Sequence, residues 1–165
     1  MSMIYDLQDK GYGRVGKMHC IPFQKEIQVF LRDDEVTEEY AEKCADALNH
    51  MSQELIDTIC KGAKAYCLKF MEIVDDDFEE MSIPVDESTS FREMLKCFSV
   101  MELVILEPKD KTKIGYQLFC CCDWEVEHGM EIDILENKVV YLSAFNGFSP
   151  WRKYDNGEWN FVNGI

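Results

Sequence analysis

Glu125, Glu127 and His128 form the tightest group of acid–base side chains around a histidine in this chain. A histidine beside a carboxylate can act as a general base or a metal ligand. A turn is a suitable place for such residues, and the neighbouring Trp124 can wall a pocket. Consecutive residues on a turn rarely aim at one centre, however, and His19 and His50 fall in unrelated elements. No nucleophile elbow, His-Glu-x-x-His pair, phosphate loop or dinucleotide fingerprint occurs. The structural reading is therefore favoured: His128 caps a backbone carbonyl beside Gly129, Gly129 takes a positive φ, and Trp124 enters the core.

Two other groups have metal-ligand residue types. Cys44, Cys60 and Cys67 sit in a helical pattern, whereas Cys120, Cys121 and Cys122 are consecutive in a strand pattern. Neighbouring strand residues face opposite sides, so the three cannot share one tetrahedral ion without distorting the strand. Free thiols acting as small apolar residues are expected, with no zinc and no cofactor. The run Asp75-Asp76-Asp77-Phe78-Glu79-Glu80 lacks the central glycine of a calcium loop and reads as a solvated linker.

These groups must be positioned by a domain of modest size. A chain of 165 residues is one domain, and 47% hydrophobic content is that of a soluble globular protein. No apolar run approaches the roughly 20 residues that span a bilayer, and the N-terminus has no secretory pattern. A cytoplasmic protein is expected. The formal net charge of −15 is uneven: residues 1–32 carry +2, 33–93 carry −13 and the remainder −4. Such a field repels nucleic acid and anionic membrane and attracts basic proteins. A solvated helix face kept soluble by its charge remains an equal reading.

The elements follow from periodicity. Lys25 to Leu31 alternates as a strand. Thr37 is the expected N-cap of a helical stripe that runs from Ala41 to Val74. One helix of that length would reach roughly 55 Å, so a break is expected at Asn49-His50-Met51-Ser52. Gly62 weakens the second half. Val100 to Leu106 is a strand with a nearly continuous apolar run. From Tyr116 to Trp151 the chain reads as an antiparallel meander. Within it, Met130, Ile132 and Ile134 point one way, and Glu131 and Asp133 the other. Trp151–Tyr154 and Glu158–Val162 read as a small hairpin about Asp155-Asn156-Gly157. The expected class is α+β: an antiparallel meander sheet of five or more strands, with one or two long amphipathic helices packed on one face.

The segment Trp124-Glu125-Val126-Glu127-His128-Gly129, followed by Met130-Glu131-Ile132, resembles the Trp-acid-x-Glu-His-Gly core of a group of small bacterial domains of unknown function. Members of that group occur among predicted immunity proteins of polymorphic and contact-dependent toxin systems. The acidic helical segment before the motif is similar in kind, while the triple cysteine and Phe148-Ser149-Pro150-Trp151 depart from the pattern. The resemblance implies a non-enzymatic immunity protein that binds a cognate toxin domain. An acidic surface would complement the basic face of such a toxin. The expected contact residues are Glu38, Glu42, Asp46, Glu54 and Asp57 on the helices, with Asp75, Asp76, Asp77, Glu79 and Glu80 beyond them. The alternative is a small enzyme or ligand-binding domain with Glu127 and His128 at its site.

Overall fold

The computed structural model describes residues 1–74, 81–155 and 159–162. Three strands come first: β1 (Tyr5–Asp9), β2 (Arg14–Cys20) and β3 (Lys25–Leu31). Two helices follow, α1 (Glu38–Asn49) and α2 (Gln53–Val74), then a short 3-10 helix over Phe91–Lys96. The chain ends in β4 (Phe98–Ile105), β5 (Gly115–Cys122), β6 (Met130–Leu135) and β7 (Lys138–Ala144). The seven strands form one sheet in sequence order, antiparallel except that β3 and β4 run parallel, from Gln28 against Glu102 to Leu31 against Ile105. The α+β class holds, with a long helix packed on a mostly antiparallel sheet. The parallel pair departs from a pure meander: parallel neighbours need a crossover connection, and the helical segment supplies it.

The helices begin and break where the capping residues stand. Thr37 Oγ1 accepts from Tyr40 N at 3.1 Å, and Ser52 Oγ accepts from Leu55 N at 3.1 Å to start α2. The inward stripe is Tyr40, Ala41, Cys44, Ala45 and Leu48 on α1, continued by Leu55, Ile59, Ala63, Tyr66 and Cys67 on α2. Gly62 has a packing role rather than being a weak point. A Cβ there would come within 2.9 Å of Leu142 Cδ1, so the glycine lets α2 lie close against β7.

Trp124 is only 2% exposed and meets Tyr66 edge-to-face at 5.6 Å. Tyr66 in turn stacks on Phe161 at 5.1 Å. The chain around Phe161 runs beside the free edge of β7. Phe161 N donates to Leu142 O at 2.9 Å, while the Asn160 amide accepts from Leu142 N at 3.0 Å and donates to Val140 O at 2.9 Å. These bonds occupy an edge that would otherwise be open to another strand. The expected C-terminal hairpin is not found among the described residues. Trp151–Tyr154 turns across the sheet rather than forming a strand, 159–162 contain none, and the proposed turn at Asn156-Gly157 lies outside the described residues.

Burial of Trp124 against Tyr66 sets a stability expectation. Trp124→Ala should lower unfolding free energy by about 3–5 kcal/mol, the range for a large aromatic removed from a core. Denaturant unfolding checks this; a loss below about 1 kcal/mol would mean the indole contributes no packing.

Candidate functional site

The corner between β5 and β6 is built around Glu125. Its Oε1 accepts from Glu127 N at 3.2 Å and His128 N at 3.3 Å, and its Oε2 lies 3.0 Å from His128 Nδ1. Gly129 N closes the turn on Glu125 O at 3.0 Å. Gly129 has φ +76°, and a Cβ there would stand 2.5 Å from Cys120 O. The histidine thus caps a carboxylate rather than the expected backbone carbonyl. Trp124 and Gly129 are buried, while Glu127 and His128 are exposed. The four motif residues share no centre, and the Glu125–His128 pair is a surface turn brace.

The acidic helical residues divide by duty. Glu42 ties the N-terminus to α1, accepting from Met3 N at 2.9 Å, Ile4 N at 3.1 Å and the Ser2 hydroxyl. Asp57 takes a two-pronged bond from Arg92, at 3.2 and 2.9 Å, and one from Gln53 at 2.9 Å. The Arg92 guanidinium beside it holds its carboxyl below the usual range. Glu38, Asp46 and Glu54 are exposed, with Asp46 3.2 Å from His50 Nδ1. An open groove of about 660 Å³ runs along α1, lined by Glu39, Glu42, Lys43, Asp46 and His50. Ile114 and Asn137 form its far side. Asp75, Asp76, Asp77, Glu79 and Glu80 lie outside the described residues.

All eight cysteines are free; seven are buried, and Cys121 alone is exposed. Desolvation pushes the thiols of Cys44, Cys60, Cys67 and Cys122 up to about 12, so they stay protonated and unreactive at neutral pH. Among the described residues no group of three or more His, Cys, Asp or Glu side chains could hold a metal ion. No helix among them is long and apolar enough to cross a membrane.

The side chains that sequence reasoning passed over are Glu131 and Asp133. Alternation does turn them away from the helices, but both are fully buried, at 0% exposure. Strand neighbours place them in two rows on this face: Glu102, Phe119, Glu131 and Ser143 in one, Val104, Gln117, Asp133 and Tyr141 in the next. The segment Phe148–Tyr154 lies over the second half of these rows as a strap. Gln117 Nε2 lies 2.8 Å from Glu131 Oε1, 3.0 Å from Asp133 Oδ1 and 2.8 Å from Phe148 O. Phe148 N donates to Glu131 Oε1 at 2.9 Å, and Tyr154 OH lies 2.8 Å from Asp133 Oδ2. Glu131 Oε2 is buried with no hydrogen-bond partner among the described residues. Desolvation, reinforced by the Asp133 charge, pushes the Glu131 carboxyl well above the usual range; desolvation also raises Asp133, against the bonds from Gln117 and Tyr154. The signal that could have found this pair is the tail itself. Phe148, Trp151 and Tyr154 around Arg152 are too aromatic for a solvated hairpin.

A family model described as a domain of unknown function, DUF6985, matches residues 3–149. The chain belongs to the DUF6985 family. No curated protein and no solved structure matches it. The match takes in all seven strands and both helices of this DUF6985 domain and stops inside the strap, before Arg152 and Tyr154.

Thiol reactivity offers a direct check on the cysteine environments. A chromogenic disulfide reagent at neutral pH should titrate Cys121 alone in the folded protein, and eight thiols after denaturation. Rapid reaction of further thiols under native conditions would place other cysteines at the surface.

Proposed function

We propose that this DUF6985 domain is a non-enzymatic immunity protein of the cytoplasm, which binds a cognate bacterial toxin domain and neutralises it. The observation that carries the reading is the exposure of Glu38, Asp46 and Glu54 on the helices, off the apolar stripe; Asp46 also lines the groove along α1 with Glu39, Glu42 and Lys43. Its support is the resemblance of Trp124–Ile132 to predicted immunity proteins, together with the charge of −13 on residues 33–93. A toxin that acts on nucleic acid presents a basic face to bind phosphate, and an acidic inhibitor can occupy that face. The alternative, an enzyme or ligand site at Glu127 and His128, loses support. Both side chains are exposed on a turn, and the His128 ring is committed to Glu125.

Charges at an interface rim act mainly on the association rate. The test is binding to the C-terminal domain of a toxin encoded beside this gene. Association should slow as salt rises and the Debye length falls from about 10 Å to 3 Å. The triple variant Glu38→Gln, Asp46→Asn, Glu54→Gln should slow it several-fold at low salt, with stability held within about 0.5 kcal/mol. Glu42 and Asp57 are left intact because they hold the N-terminus and Arg92. An association rate indifferent to both salt and the triple variant would defeat the acidic-surface reading. Failure to bind the neighbouring toxin at all would defeat the immunity assignment.

A further inference from the structure

Two carboxyl groups two residues apart on one strand, both wholly excluded from water, need a reason to stay closed in. Like charges so placed repel, and each loses its hydration. The bonds around them supply too few donors for two ions. The Gln117 amide has two hydrogens for three acceptors: Glu131, Asp133 and the Phe148 carbonyl. Tyr154 OH has one hydrogen for Asp133 Oδ2 and for Ser149 O at 2.9 Å. The backbone N–H groups of Phe148 and Gly147 favour an ionised Glu131, yet its Oε2 has no donor within hydrogen-bond distance among the described residues. A full negative charge on that oxygen would be a buried, unsolvated ion, whereas a neutral carboxyl group tolerates the site far better.

The groups facing the pair come from three elements. Gln117 on β5 is neutral, and Ser143 and the Tyr141 phenol stand on β7. Arg152 and Tyr154 come from the strap. The Arg152 guanidinium lies 3.9 Å over the Phe148 ring and 5.1 Å from the Tyr154 ring centre, and its charge favours ionisation of both acids. One positive charge balances one carboxylate. A second carboxylate would have no further cation acting on it among the described residues.

We infer that Phe148–Tyr154 is a proton-locked strap, which stays closed over β5–β7 while Glu131 and Asp133 hold one proton between them and lifts when both are ionised. Phe148 N and Tyr154 OH donate to these carboxyls and by themselves favour ionisation, so what lifts the strap is the repulsion and lost hydration of two buried carboxylates, which opening relieves. Lifting uncovers Gln117, Tyr141 and the acid pair. These continue the face already open on β2–β5, where Lys17, Gln28, Glu102 and Phe119 line a groove of about 790 Å³.

The direction follows from linkage. Both carboxyls are raised above their ordinary values in the closed state, by desolvation first. The closed strap therefore holds a proton that the open one releases. Its stabilisation is complete below the ordinary carboxylate range and is lost as pH rises through the raised values.

Hydrogen exchange, corrected for the intrinsic rate at each pH, tests this on the whole chain. The strap amides of Phe148, Trp151 and Arg152 should lose protection relative to β4 amides as pH rises above the carboxylate range. Release of one proton gives up to about ten-fold more opening per pH unit. Glu131→Gln should flatten that dependence. Asp133→Asn, which also leaves a single ionisable acid, should do the same and serves if the first variant does not fold. Tyr154→Phe should open the strap more at every pH. A protection ratio constant with pH overturns the inference, as does an unchanged slope in either acid variant or a strap indifferent to Tyr154→Phe.

Discussion

The parallel pairing of β3 with β4 is the constraint from which the rest of the architecture follows. Strands running the same way cannot be joined by a tight turn, so the chain must leave one end of the sheet and return to the other. Both helices and the 3-10 segment lie inside this single crossover and so cover the same face. Tyr40 pins the arrangement: its hydroxyl accepts from Gly115 N at 3.0 Å and lies 3.1 Å from Lys113 O, fastening α1 to the start of β5. Gly62 lets α2 settle against β7, and Trp124 meets Tyr66 beneath it. Among the described residues the other face receives no helix. The chain after β7 covers part of it, and that cover buries Glu131 and Asp133.

How far this was legible in the sequence depends on the range of the interaction that decides each feature. The helices, the cap at Thr37 and the break within Asn49–Ser52 rest on contacts within four residues and were legible; that Ser52 is the residue capping α2 comes from the structure. The strands from Gly115 to Ala144 were visible for the same reason: local alternation and a two-residue turn at Glu136 and Asn137, with φ of +51° and +59°, specify a hairpin. The direction of β4 beside β3 was not legible, because nothing local to Val100–Leu106 records which strand it will join. The tail was misread for a related reason. Asn156-Gly157 is a strong local turn signal, but Tyr154 bonds to Asp133 and Asn160 to β7, and these long-range partners decide where the flanking residues go.

The candidate site shows the same division. Period two told which face Glu131 and Asp133 occupy, yet a period carries no information about what lies on top of that face. Polar residues at alternate positions ordinarily signal solvent, and here the strap reverses the inference. The motif Trp124–Gly129 was visible as a unit, but its members serve different neighbours. Trp124 and Gly129 answer to the core and to the Cys120 carbonyl, while Glu125 organises the turn.

Net charge overstates what an acidic surface can offer a partner, and the fates of individual carboxylates show why. Asp33 accepts from Glu107 N, Asp123 from Ser82 N and Glu136 from Ile114 N, each joining segments distant in sequence. Glu42 and Asp57 do the same for the N-terminus and for Arg92. Such groups are already engaged, and a partner that took them over would have to replace those bonds. Glu131 and Asp133 are shut away from any partner while the strap is closed. Glu38, Asp46 and Glu54 remain on the outside of the helices, where moderate solvation leaves their charge available at little desolvation cost. On the proposed reading, the acidic surface open to a basic partner is therefore narrower than the sum of acidic residues suggests, and among the described residues it includes the outer side of α1 and the first turn of α2.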